Sequence, residues 1–474
     1  MTQARRTGPG KRRAIITCLM LLSLGLLGAC CRTPAPEVDS SADSGGASAA
    51  RAGFADTGRT VAGFAHARPG TALTFPRDHG PHPDFRIEWW YLTANLEDAR
   101  GEPLGLQWTL FRQAQRPPDK AGDRHSMIVD RHSAETGMDR HSASGHSASV
   151  DRHSTEPATS GDRHFESTSG DRHFESAAKP GSELVDRHWA GPWAADQLWM
   201  AHMAVSRGPR HRVAERFARG SGTPDPVPPR QAGVTLGPFR AWLDDWHLES
   251  LAANSADDPL DHLRLSARAE DENGVFGYRL ELEATGPLVR HGDKGFSQKS
   301  ADGQGSMYYS QPFYRVSGEV TLDGERIAVS GRAWLDREWS SQLLGAGQTG
   351  WDWFSLHLDS GDRLMAFRLR GGGSGTKGGN YLSGSWITAA GDVVPLHGSG
   401  LTLTPLASAA ASGHRVPVSW RLTLPEKQLE LDITARHANR WMPTSVPYWE
   451  GAVSVRDAAS GSPRGEGYLE MTGY

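Results

Sequence analysis

Cysteine is nearly missing from this chain of 474 residues: Cys18, Cys30 and Cys31 are the only three, all within the first 31 positions. The rest of the protein cannot form an internal disulfide, so its stability must come from a packed core. Excess charge of one sign is also lacking. The 51 basic and 55 acidic side chains give a formal net charge of −4, which argues against a nucleic-acid binder. No apolar run after Leu27 approaches the roughly 18–20 residues a spanning helix needs. With 37% hydrophobic and 22% charged residues, the composition is that of a globular chain and not a disordered or collagen-like one. What is plentiful is 55 Gly, 29 Pro and 16 Trp against 9 Tyr, which suits turn-rich β-structure with aromatic interiors and excludes a helical bundle. At about 100–200 residues per domain, two or three domains are expected.

The N-terminus reads as an export signal. Arg5, Arg6, Lys11, Arg12 and Arg13 precede the apolar run Ala14–Leu27. Leu27-Gly28-Ala29-Cys30 resembles a bacterial lipobox, which makes residues 1–29 a lipoprotein signal peptide and Cys30 the lipidated residue. An ordinary cleaved signal and twin-arginine export are the alternatives. Because Cys31 and not Asp follows, the expected location is the outer membrane, facing the periplasm. Residues 30–65, rich in Ala, Ser, Gly and Pro without periodicity, read as a tether. Between about 116 and 188 the triplet Asp-Arg-His occurs seven times, at Asp123, Asp130, Asp139, Asp151, Asp162, Asp171 and Asp186. The spacing is too uneven for a solenoid. An Arg precedes each of these histidines and opposes a metal ion, so the segment reads as a disordered insertion with no metal site.

The remainder divides into a body over 66–340, interrupted by that insertion, and a second over 341–474. Both show period-two alternation. Leu263, Leu265, Ala267 and Ala269 alternate with polar residues up to the turn Asp271–Gly274, and Tyr278, Leu280, Leu282 and Ala284 continue beyond it. Further turns fall at Asp323-Gly324, Asp359–Asp362 and Ala390–Asp392, with more alternation over Val416–Leu424 and Leu429–Ala435. Barrels or sandwiches follow from hairpins at this spacing. In the hairpin Glu88–Arg112, a turn at Ala99-Arg100-Gly101 makes paired residues sum to 200. Leu92 then faces Trp108, Trp90 faces Leu110, and Glu88 meets Arg112 on the inward, apolar side. Such a pair is either a structural ion pair closing the barrel end or a polar contact for a ligand.

Familiar catalytic motifs are absent: there is no H-E-x-x-H, C-x-x-C, G-x-S-x-G or dinucleotide fingerprint. Gly371–Lys377 lacks the ending of a phosphate loop, and His202 and His247 have no second ligand at metal spacing. What stands out is an aromatic and carboxylate concentration through Tyr308–Tyr314, Trp334–Trp339 and Trp351–Phe354. A carboxyl group among aromatic faces keeps its proton near neutrality and can act as an acid, and the same faces stabilise a transient carbocation. Alternation puts Trp334, Asp336 and Glu338 on one face while Ala333 and Leu335 take the other, which turns Asp336 outward from its own barrel, toward a contact between the two bodies.

The runs Phe85–Tyr91, His291–Lys299, Ala333–Gln342 and Gly467–Tyr474 resemble the AttH-like secreted proteins, which share a lipocalin-like domain with carotenoid 1,2-hydratase, also called hydroxyneurosporene synthase. The resemblance extends from His82 to Tyr474 except for the insertion. It implies an all-β fold of two tandem lipocalin-like antiparallel β-barrels. Its enzyme branch implies cofactor-free addition of water to the terminal double bond of an acyclic carotenoid, started by a carboxylic acid in a Tyr-x-Asp context. The corresponding position here is Asp336, with Trp334 where the tyrosine would be. Where that enzyme has a His and Trp pair, this chain offers Tyr308, Tyr309 and Gln311. The resemblance also implies an accessory role beside ABC-type permeases.

Three functions are open at this level. The first is a lipid-anchored carrier of an apolar, lipid-like or isoprenoid-like ligand, with Glu88, Trp90, Trp108, Arg112, Trp339, Trp351 and Trp353 as ligand contacts. The second is a cofactor-free hydratase, with Asp336 as acid, Trp334, Tyr308 and Tyr309 beside it, and Glu338 or Asp352 handling water. The third is a surface scaffold. A carrier predicts Asp336 tied to Arg337 or Arg315, a hydratase predicts it at a pocket wall with few partners, and a scaffold predicts filled barrels.

Overall fold

The computed structural model describes residues 61–118, 196–220, 231–252, 257–342, 344–345, 347–371 and 379–474. Cys30, most of the tether and nearly all of the Asp-Arg-His tract lie outside them. Among the described residues the regular structure is all antiparallel strand, apart from single 3-10 turns, and no helix is long and apolar enough to cross a membrane.

The first sheet comprises β1 (Ile87–Asp98), β2 (Pro103–Ala114), β3 (Gln197–Arg207), β4 (Arg210–Gly220), β5 (Ala232–Leu236), β6 (Phe239–Leu243), β7 (Trp246–Ser250), β8 (His262–Asp271), β9 (Gly274–Ala284), β10 (Val289–Arg290), β11 (Phe296–Gln298), β12 (Gly305–Leu322) and β13 (Glu325–Ser340). Its order is β4-β3-β2-β1-β13-β12-β9-β8-β7-β6-β5. The sheet curls until β4 touches β5, giving a near barrel. The second sheet comprises β14 (Gln348–Leu358), β15 (Arg363–Gly371), β16 (Tyr381–Ile387), β17 (Val393–His397), β18 (Thr402–Ala411), β19 (His414–Leu424), β20 (Leu429–Ala435), β21 (Trp441–Met442), β22 (Tyr448–Asp457) and β23 (Pro463–Thr472). It curls in the order β17-β16-β15-β14-β23-β22-β20-β19-β18 as a half-barrel.

Side chains of a strand alternate between faces, so each sheet has an inner core and an outer surface. Trp90, Leu92, Trp108, Leu110, Leu335 and Trp339 fill the near barrel. Phe354, Leu356, Trp420 and Trp449 belong to the core of the half-barrel. A third apolar layer joins the two, made of outward-facing Tyr91, Tyr308 and Trp334 from the first sheet and Trp353, Phe367 and Leu369 from the second. The sheets approach closely at Gly105, where a Cβ atom would stand 2.6 Å from the Tyr468 hydroxyl oxygen.

The first hairpin has the register its alternation dictates, with Glu88 opposite Arg112, Trp90 opposite Leu110 and Leu92 opposite Trp108. Glu88 accepts from Arg112 Nε at 2.6 Å and lies 3.3 Å from Arg337 Nη2, all three inside the near barrel. Arg112 also donates to the His82 and Phe85 carbonyls, and Arg337 lies over the Trp90 ring at 3.8 Å. Burial alone would raise the Glu88 carboxyl, but Arg112, His82 and Arg337 hold it well below the ordinary range. Its contribution to stability is therefore present above the usual glutamate pKa and is lost only in strong acid. Glu88→Ala leaves two buried guanidinium groups without their counter-ion, with an expected loss of about 3–5 kcal/mol, measurable as a lower urea midpoint at pH 7.

Candidate active site

Strand β13 sits between β1 and β12, and its two faces do different work. Arg337 and Leu335 point into the near barrel, whereas Trp334, Asp336 and Glu338 point out, toward the second sheet. Register then aligns Tyr91, Asp336 and Ser310 across three strands, with Trp89, Glu338 and Tyr308 in the neighbouring rank. The second sheet closes over them. Between the sheets lies a narrow cavity, part of it open to solvent. Its walls are mainly aromatic, including Trp89, Tyr91 and Phe111 from one sheet and Trp351, Trp353 and Phe367 from the other.

Asp336 is at the wall of this cavity and only 3% exposed. Among the described residues no cation pairs with it. Trp334 Nε1 donates to Oδ1 at 2.6 Å, Ser310 Oγ donates to the same oxygen, and the Tyr308 hydroxyl donates to Oδ2 at 2.7 Å. Burial raises the Asp336 pKa to about 7, against the lowering effect of these three neutral donors and with help from the nearby Glu338 charge. Oδ1 already takes two donors, so Oδ2 is the oxygen with room for the proton. Its nearest basic neighbour in sequence, Arg337, is committed to Glu88 on the opposite face, and Arg315 pairs with Glu283 at 2.6 Å.

An outer ring of contacts fixes these donors. Trp353 Nε1 donates to the Tyr308 hydroxyl at 3.0 Å, so Tyr308 turns its own proton to Asp336. His291 reaches Ser310 Oγ through Nε2 at 2.6 Å and Ser385 Oγ through Nδ1 at 2.9 Å. Burial and the Lys299 charge lower the His291 pKa to about 3, so it is neutral. Ser310 has one proton and gives it to Asp336, which assigns His291 Nε2–H as the donor to Ser310. Lys299 ion-pairs with Glu338 at 2.9 Å and rests over the Phe367 ring at 4.2 Å.

Of the residues singled out in the sequence, Asp336, Trp334 and Tyr308 come together, and Trp351 and Trp353 line the cavity. Tyr309 points the other way, bonding His79 Nδ1 at 2.7 Å. Glu88, Trp90, Trp108, Arg112 and Trp339 also face the near-barrel interior and do not line this cavity. Asp352 is held by Arg368, Arg370 and the Tyr474 hydroxyl, away from the cavity. Sequence reasoning missed His291, Ser310 and Lys299. Two of them, His291 and Lys299, sit in one of the quoted family runs, which was their only signal. Among the described residues no group of three or more His, Cys, Asp or Glu is arranged to hold a metal.

Two curled antiparallel sheets, a near barrel and a half-barrel with an aromatic cavity between them, define a lipocalin-like protein. The chain belongs to the AttH-like family, whose model matches residues 66–184 and 172–474. A crystal structure of a candidate AttH from Nitrosomonas europaea is 30% identical, covering 87% of this chain and 100% of that one, with a TM-score of 0.61. Kievitone hydratase from Nectria haematococca shares the fold at 12% identity and a TM-score of 0.52, covering 86% of this chain and 98% of that one. No curated protein matches the chain.

The raised Asp336 pKa has a cost. Between the ordinary aspartate pKa and about 7 the folded state binds more protons than the unfolded chain, so stability falls as pH rises through that window. Asp336→Asn removes this penalty. The variant is expected to gain stability at pH 8, on the order of 2–4 kcal/mol, and to lose that advantage near pH 4 in paired thermal melts.

Proposed function

We propose that this protein is a cofactor-free hydratase that adds water to a carbon–carbon double bond of an apolar, isoprenoid-like molecule held between the two sheets. The observation that carries this reading is a buried carboxyl group at the wall of an aromatic cavity, with no cation partner among the described residues. Asp336 Oδ2–H gives its proton to one alkene carbon, and a carbocation forms on the other. Trp89, Tyr91, Trp351, Trp353 and Phe367 surround that charge with ring faces. Water then captures the cation. Tyr308, Ser310 and Trp334 hold the carboxylate that remains, which offsets part of the charge left behind. The shared fold with kievitone hydratase, an enzyme named for hydration, supports the reading.

The same aromatic cavity supports a second reading, a carrier of an apolar ligand that leaves it unchanged. Native mass spectrometry with lipid extraction separates the two. Wild-type protein is expected to release a product heavier by one water, with Asp336→Asn holding the unreacted molecule and turning over at least about 100-fold more slowly. The same unmodified molecule in both forms would make the protein a carrier, and empty cavities in both would overturn both readings.

The envelope setting belongs to this proposal as well: Cys30 carries the lipid, the protein faces the periplasm from the outer membrane, and an ABC-type permease is the partner class. Cys30→Ser is expected to abolish labelling by radioactive palmitate and to move the protein from the membrane to the soluble fraction. Labelling that persists would rule Cys30 out.

A further inference from the structure

We propose that Glu470, with Glu450 behind it, is the proton acceptor of this cavity and takes the proton of the water that adds. The inference rests on the hydratase reading above and deepens it, because that reading names a donor and no acceptor. Glu338 is engaged by Lys299, Asp352 by two arginines, and His202, on the same cavity wall, by Glu215 and the Tyr448 hydroxyl, which leaves Glu470, in the terminal run Gly467–Tyr474.

Glu470 lies on β23 and lines the wall that the second sheet supplies. Its neighbour across the strand pair is Glu450 on β22, only 2% exposed. Tyr91, the strand neighbour of Asp336, donates to Glu450 Oε1 at 2.5 Å, and Trp351 Nε1 donates to Glu470 Oε1 at 2.5 Å. Glu450 Oε2 is buried without a hydrogen-bond partner.

Two opposed carboxyl groups in such a place do not both ionise. The proton belongs on Glu450: it is the enclosed member, and with Tyr91 already donating to Oε1, the unpartnered Oε2 is the oxygen with room for it. Glu470 faces the cavity and holds an indole N–H, so it is the member that ionises. The charged and titratable groups around the pair are Asp336, Glu338 with Lys299, Tyr91, Tyr448, Tyr278 and Tyr468, with His202 on the same cavity wall. Burial pushes both glutamates upward, and Asp336 and Glu338 raise Glu470 further, which makes its carboxylate a stronger base than an exposed one.

The steps balance. The Asp336 O–H bond breaks as a C–H bond forms, and the adjacent cationic carbon accepts an electron pair from a water oxygen. An O–H bond of that water then breaks, leaving its electrons on oxygen and its proton on Glu470. The proton returns to Asp336 through cavity solvent, and one water is consumed.

Infrared titration of the full chain from about pH 5 to about pH 9 reads protonated carboxyls directly. Two carboxyl bands are expected to fade over this range. Asp336→Asn should remove one and Glu470→Gln the other, while Glu450→Gln keeps both, because the amide mimics protonated Glu450. Loss of the second band in Glu450→Gln, or of none in Glu470→Gln, would overturn the assignment. With squalene as the probe olefin in heavy water, Glu470→Gln is expected to hydrate at least about 100-fold more slowly while still placing deuterium in recovered olefin through Asp336. Loss of deuterium together with hydration would remove the acceptor role. A wild type that shows both bands yet neither hydrates nor deuterates squalene fails the hydratase reading and sustains the carboxyl pair, so the two failures read apart.

Discussion

The two faces of β13 cannot share their charges, and the rest of the site depends on that constraint. A β-strand sends adjacent side chains to opposite sides of the sheet, so Asp336 and Arg337, neighbours in sequence, never meet. Arg337 turns inward, where Glu88 and the Trp90 ring absorb its charge. Asp336 turns outward among neutral donors and aromatic walls. Arg337 is thus spent inside the near barrel, while on the outer face Lys299 is taken by Glu338 and Asp336 is left without a cation among the described residues. A buried carboxyl group without a cation is costly, and it is retained only where the surrounding structure is stable enough to carry it.

Much of the frame was legible in the sequence because alternation is a local rule. The register of the first hairpin follows from counting residues either side of Arg100, and the outward turn of Asp336 follows from the apolar character of Ala333 and Leu335. The same rule misled where it was carried too far. Trp90, Trp108 and Trp339 are aromatic and inward-facing, but the near barrel uses them as packing, and the cavity takes the residues between them. A register shift between Gln311 and Tyr314 then reverses parity within one strand. Tyr309 and Tyr314 both point inward as a result, although one is odd and the other even.

The partners of Asp336 were harder to foresee for a different reason. Ser310 becomes a donor to it only when β12 pairs with β13. His291 acts through Ser310, and its other nitrogen is fixed by Ser385 from the second sheet. No spacing rule joins residues that lie about a hundred positions apart on separate sheets. The family runs marked His291 and Glu470 as noteworthy positions without saying what they touch.

Gly105 lies away from the acid, yet its lack of a side chain sets how near the Tyr468 hydroxyl can come, and so helps set how tightly the two sheets close. A Gly105→Ala change would put a methyl carbon 2.6 Å from that oxygen, so the Tyr468 ring or the sheet behind it would have to give way by about 1 Å. On the proposed reading, the gap between the sheets is the dimension that would sort slender chains from bulky ones. In a lineage that exchanged one apolar molecule for another, the gauge of the cavity could therefore drift through a residue that never contacts the molecule, with the acid and its donors left in place.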